Sequence, residues 1–130
     1  NLETDLRYLK SKVDAGAEYI VTQMFFDNQK YFEFVDKCKA AGINVPIIPG
    51  LKPLTNKKQL TVIPRIFHVD LPTELIDAMN KTKTDEDAEK VGEDWLVHQS
   101  KELKKAGVPV LHYYSMGKSE NIRQIAKAVF

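Results

Sequence analysis

The chain lacks most of the features that announce a particular chemistry. It has one cysteine, Cys38, so no internal disulfide can form, and a reducing compartment fits. None of its apolar runs approaches the ~20 residues that a membrane-spanning helix needs. No signal-peptide pattern opens it. Its net charge is only +1, and its lysines and arginines alternate with acids. Those charges read as solvated faces rather than a phosphate-tracking stripe, which removes the reason to expect a nucleic-acid partner. His68, His98 and His112 show no metal-ligand spacing with one another or with Cys38. A glycine-rich phosphate loop, a nucleophile elbow and a zinc signature are all missing.

What is present is the balance of a globular domain, 43% apolar and 28% charged, in a chain of 130 residues that can bury a real core. It starts at Asn1 rather than Met, which is expected of a piece of something longer. Leu2, Leu6, Leu9 and Val13 share one face of a predicted helix over residues 2–15. The run Tyr19 to Phe26 is rich in β-branched and aromatic residues without clean alternation, which predicts a strand buried on both faces. Asp27 caps the next helix, whose stripe is Tyr31, Phe34, Val35 and Cys38. Cys38 on that stripe reads as packing rather than a nucleophile. A short strand follows over residues 45–51, then helices over 56–67 and 73–80. A long helix runs from the cap Thr84 to about Ala106, with Ala88, Val91, Trp95 and Leu103 inward. The acids at its start complement the helix dipole. A third strand covers residues 110–116. Ser119 caps a last helix with Ile122, Ile125, Ala126 and Val129 inward.

One phrase occurs three times: amphipathic helix, Ala-Gly, apolar strand. It centres on Gly16, Gly42 and Gly107. Alternating helix and strand predicts parallel strands with right-handed crossovers. Gly16 and Gly42 lie 26 residues apart, close to the ~31 residues of one unit in a (β/α)₈ barrel. The 65 residues from Gly42 to Gly107 hold one unit plus an insertion. Three parallel strands alone leave two unpaired edges, which favours part of a larger fold over a complete flavodoxin-like domain.

Gln23 stands out in its apolar strand. An amide there can offer a donor and an acceptor to a flat heteroaromatic edge such as a pterin or flavin. It can equally end the strand and reach water, and the residues alone leave both readings open. Pro49-Gly50-Leu51-Lys52-Pro53 forms a rigid turn in which glycine permits a ligand to approach the backbone, although composition alone favours a plain loop. The Gly117-Lys118-Ser119 turn before the last helix is a weak anion-site candidate.

Asp5-Leu6 through Lys12-Val13-Asp14-Ala15-Gly16-Ala17 with Ile20 to Asp27, Ile47 to Pro53, and Leu111 to Met116 before a basic turn together resemble the methylenetetrahydrofolate reductase family. The segments occur in the family's order and spacing over essentially the whole chain. The resemblance implies the C-terminal portion of a (β/α)₈ barrel, from its fifth to its eighth helix, with three parallel strands and the first five strands absent. It implies FAD as cofactor and NADH or NADPH as donor. The reaction implied is reduction of 5,10-methylenetetrahydrofolate to 5-methyltetrahydrofolate, a step of one-carbon metabolism and methionine biosynthesis in the cytoplasm. Gln23, Gln59 and Lys118 match substrate contacts, and Asp5 and Lys12 match flavin contacts. Tyr8 and Ser11 depart from the bacterial pattern, and Lys118 stands where bacterial members carry Arg, losing a bidentate fork. No carboxylate matches the family's acid, so no catalytic residue is expected in this chain. The isolated piece is expected to be inactive, and the full-length enzyme to be a homo-oligomer. The alternative is a stand-alone half-barrel that binds or assembles through its exposed sheet edges.

Overall fold

A computed structural model describes residues 2–67 and 69–114, together with 123, 127 and 129. Its elements in chain order are α1 (Leu2–Asp14), β1 (Ile20–Val21), α2 (Asn28–Ala40), β2 (Ile47–Ile48), β3 (Gly50–Leu51), α3 (Gln59–Phe67), α4 (Thr73–Asn80), α5 (Asp85–Lys105) and β4 (His112–Tyr113). The helices follow the periodicity and caps of the sequence. Asp27 Oδ1 accepts from the Gln29 amide, and Thr84 Oγ1 accepts from the Asp87 amide. The three repeated glycines all take positive φ, at 114°, 84° and 91°, in the turns that follow α1, α2 and α5. A left-handed residue ends each helix and sends the chain back, and glycine does this without a Cβ penalty.

The strands are parallel, as the alternation predicts. β1 pairs with β2, Ile20 opposite Ile47, and β3 pairs with β4, Gly50 opposite His112. β2 and β3 are one extended run divided at Pro49, which has no N–H to donate but whose carbonyl accepts from His112 N. The run therefore faces β1 with its first half and β4 with its second.

The ladders are shorter than the sequence predicts. The strand expected over residues 19–26 is regular only at Ile20–Val21, with one further bond from Thr22 N to Ile48 O. It is not buried on both faces either, since Tyr19 is 58% exposed and Val21 37%. Only one edge of β1 has a partner among the described residues, and that partner run turns to β4 after Pro49, so the ladder is short. Beyond it, Met24, Phe25 and Phe26 are buried by side-chain packing outside any ladder.

Two buried clusters hold the molecule together. Met24, Phe26, Leu54, Ile63, Leu75, Met79 and Ala88 form one. Phe25, Tyr31, Leu51, Leu96 and Leu103 form the other, with Val129 packed against it. The inward face of α5 is Ala88, Gly92, Leu96, Gln99, Ser100 and Leu103, while Val91 and Trp95 lie at its margin. Ser115, Met116, the Gly117-Lys118-Ser119 turn, the positions Ile122, Ile125 and Ala126, and His68 lie outside the described residues.

Candidate functional site at the strand ends

In parallel α/β folds, ligands meet the carboxyl ends of the strands. At that end of β1 the ladder stops with Thr22, and three residues hold Thr22 at three atoms. Its amide donates to Ile48 O at 3.0 Å, its Oγ1 accepts from the Gly50 amide at 2.9 Å, and its carbonyl accepts from the Tyr114 hydroxyl at 2.9 Å. Gln23 comes next and is exposed. The structure thus places its amide in reach of solvent at the strand end and not inside an apolar run.

The segment after Gln23 is tied to α5. Trp95 Nε1 donates to the Phe26 carbonyl at 2.9 Å, and Gln99 Nε2 reaches the Phe25 carbonyl at 3.3 Å. Gln99 Nε2 also donates to Asn28 Oδ1, while Asn28 Nδ2 donates to the Gln99 carbonyl and to Glu102 Oε1. These bonds satisfy backbone groups that leave the ladder at this point. Gln99 Oε1 is buried without a partner among the described residues. Gln99 escaped the sequence reading, although a polar residue four positions after Trp95 on the inward face was the available clue.

Gly50 is needed for a reason other than ligand approach. A Cβ there would lie 2.5 Å from the Thr22 carbonyl oxygen and 2.7 Å from the Tyr114 ring. The neighbours that require the glycine are protein atoms. Lys52, just beyond, is only 3% exposed, and its ammonium donates to the Pro53 carbonyl at 3.1 Å. Burial pushes its pKa down from the ordinary lysine value. His112, exposed on β4, stands edge-on to the Tyr114 ring at 4.7 Å.

A cleft of about 430 Å³ opens beside β1, which has a partner on only one edge among the described residues. Asp5 and Tyr8 of α1, Val21 and Gln23, and Tyr31 and Phe34 of α2 line it. Its size lies within the range of small-molecule sites. Lys12 does not line it, but its ammonium sits 4.6 Å over the Tyr8 ring. Asp5, Tyr8 and Lys12 therefore form one exposed stripe of α1 at spacing i, i+3, i+7. Gln59 lies elsewhere, at the start of α3. Its Oε1 accepts from the Thr55 amide at 2.6 Å, which spends the acceptor on its own loop. Lys118 lies outside the described residues. The structure brings Gln23 and Asp5 to one cleft, with Lys12 adjoining through Tyr8, and leaves Gln59 apart.

Cys38 is fully buried, and desolvation pushes its thiol pKa up, so it is a packing residue. No group of three or more potential metal ligands occurs among the described residues. No helix among them is long and apolar enough to cross a membrane.

Comparison with known proteins bears on the whole chain. The family model for methylenetetrahydrofolate reductase matches residues 1–129. A probable methylenetetrahydrofolate reductase (NADPH) of Caenorhabditis elegans is 34% identical over 98% of this chain, which spans 20% of that protein. The 5,10-methylenetetrahydrofolate reductase of Escherichia coli is 37% identical over 91% of this chain, which spans 40% of it. Methylenetetrahydrofolate reductase (NADH) 1 of Arabidopsis thaliana is 37% identical over 88% of the chain and is spanned to 19%. The chain thus corresponds to between about a fifth and two fifths of these relatives' lengths. Among solved structures, a Clostridium thermocellum protein that binds two copies of 5-methyl-5,6,7,8-tetrahydrofolic acid superposes with a TM-score of 0.57 at 20% identity. The match covers 95% of this chain and 46% of that one, and it shows a shared α/β fold. On the match of the family model to all but its last residue, the chain belongs to the methylenetetrahydrofolate reductase family.

Proposed function

We propose that this chain is the C-terminal part of the catalytic barrel of a methylenetetrahydrofolate reductase, and that it carries part of the folate site. The observation that carries the reading is Gln23. It is an exposed amide at the carboxyl end of a parallel strand, immediately beyond a residue held at three atoms, in a chain of this family. Such an amide can donate and accept in one plane, which suits the edge of a pterin. Gln59 and Lys118 are proposed as further substrate contacts, Gln59 through its amide nitrogen and Lys118 as a positive charge for a carboxylate.

The family implies FAD, and the exposed stripe of α1 fits part of it. Asp5 offers a carboxylate to sugar or ribityl hydroxyls, and Lys12 offers an ammonium to phosphate. When bound, reduced flavin supplies the hydride that converts 5,10-methylenetetrahydrofolate to 5-methyltetrahydrofolate, and NADH or NADPH restores it. The residues of this chain bind and orient. The proton donor is proposed to lie in the remainder of the barrel, because no carboxylate among the strand ends here matches it.

The cleft beside β1 supports the same architecture. Val21 is exposed and lines this cleft, which is read as room for a preceding strand and the cofactor beyond it. The isolated 130 residues are therefore proposed to be catalytically inactive. Expression of the full open reading frame tests the assignment. The purified protein is expected to be yellow and to form 5-methyltetrahydrofolate at the expense of NADH or NADPH. A protein that holds no flavin and leaves methylenetetrahydrofolate unchanged would sink it. The same edge of β1, without a partner among the described residues, favours a second reading, a half-barrel that assembles with another copy. Light scattering separates the two, since a monomeric, compact 130-residue piece contradicts assembly.

A further inference from the structure

The carbonyl of Thr22 is the last main-chain group before Gln23, and it does not bond to the neighbouring strand. Its hydrogen bond comes from the Tyr114 hydroxyl at 2.9 Å, just past the end of β4. Tyr114 itself is anchored by its own amide, which donates to Leu51 O at 2.8 Å. The tyrosine therefore crosses the β2–β3 run to reach β1. It crosses over Gly50, where any side chain would meet both the Thr22 oxygen and the tyrosine ring. From the other side the Gly50 amide donates to Thr22 Oγ1.

This arrangement controls one torsion. The Thr22 carbonyl belongs to the same planar peptide as the Gln23 nitrogen, so fixing that oxygen fixes the direction in which the chain enters Gln23. Past the Thr22 amide, β1 has no main-chain ladder bond to do so among the described residues. We propose that Tyr114 is a positioning residue for Gln23, its hydroxyl setting the Thr22–Gln23 peptide across Gly50 so that the glutamine amide meets a flat heteroaromatic ligand at one angle. The proposal rests on the reading of Gln23 as a folate contact. A misdirected amide loses hydrogen bonds to the ligand without altering the cofactor, so the effect falls on folate binding.

The test is a double-mutant cycle in the full-length enzyme. Tyr114→Phe removes only the hydroxyl. It is expected to raise KM for methylenetetrahydrofolate about fivefold, the scale of one neutral hydrogen bond. It should leave kcat within about twofold and leave flavin reduction by the nicotinamide donor unchanged. In a Gln23→Leu background the same change is expected to have no further effect on KM, because there is no amide left to position. Gly50→Ala, which drives the tyrosine off, is expected to move the same parameter at least as far. If that variant fails to fold, the Tyr114→Phe arm decides alone. A Gln23→Leu enzyme with raised KM beside an unchanged Tyr114→Phe enzyme overturns the positioning role and leaves the folate reading intact. Additive effects overturn it as well, since they mean that Tyr114 acts by a contact of its own. Equal losses in both half-reactions mean a general structural role and also overturn it. An unchanged KM in Gln23→Leu removes the folate reading and the proposal together.

Discussion

The two ends of the described chain are built from the same local pattern and end up in different states. Around α5 the inward face is sealed, with Ala88, Leu96, Ser100 and Leu103 at 1% exposure or less. Around α1 no described residue is buried, and Leu6, Leu9 and Val13 reach only intermediate burial. Tyr8, next to Leu9 of that stripe, is 63% exposed. Both helices are amphipathic, end at a positive-φ glycine and lead into a strand. What differs is the number of neighbours. α5 packs on α4, whereas α1 precedes a strand that has a partner on only one edge among the described residues. Amphipathicity states that a helix has a face to bury, and the rest of the fold decides whether it is buried.

The sharpest test of that contrast is Gly92→Val in α5. A Cβ at Gly92 would lie 1.9 Å from the Leu54 carbonyl oxygen, a main-chain atom with little room to yield. Its cost is expected to exceed about 3 kcal/mol, with loss of the cooperative unfolding transition in the intact enzyme. Leu103→Ala comes next, at about 3 kcal/mol by urea denaturation, because the side chain is fully buried in a packed cluster. The matching change at the other end, Leu9→Ala in the isolated chain, is expected to cost less than about 1 kcal/mol. Equal costs at the two positions would contradict the contrast. Trp95→Phe removes the donor to the Phe26 carbonyl together with part of the packed indole, for about 1–2 kcal/mol.

The smallest effect is pH-dependent. Burial holds the Lys52 pKa below its ordinary 10.5. Between the folded and unfolded pKa values the unfolded chain binds more protons, so this group adds stability as pH rises through that interval. Lys52→Met is therefore expected to stabilise most at neutral pH, with a gain that shrinks as pH approaches 10.5. Thermal melts of both proteins from pH 7 to 10 read this directly, and a gain that grows with pH would refute it.

The helices were legible because their determinants are local. Spacing, the caps Asp27 and Thr84 and the three Ala-Gly stops place α1 through α5 to within a few residues. Parallel pairing was also legible, from alternation alone. Strand length was not, because a ladder ends where its neighbour ends. The run from Tyr19 to Phe26 therefore gave two regular residues instead of eight. The same holds for the site. Gln23 was visible as an odd amide, but its exposure depends on where the β1 ladder ends, which its own sequence does not state. Gln59 was visible as a substrate match, yet its oxygen turned to the Thr55 amide four residues earlier. Tyr114, Trp95 and Gln99 act on residues 69 to 92 positions away, a distance no local pattern spans.

The central claim is that Gln23 reads the folate. Gln23→Leu in the full-length enzyme, with the two half-reactions measured separately, tests it most directly. The KM for methylenetetrahydrofolate is expected to rise about tenfold or more, as when a site built to hydrogen-bond its ligand loses that group. Reduction of the flavin by NADH or NADPH is expected to be unchanged. An unchanged folate KM, or an equal loss in both half-reactions, would contradict it.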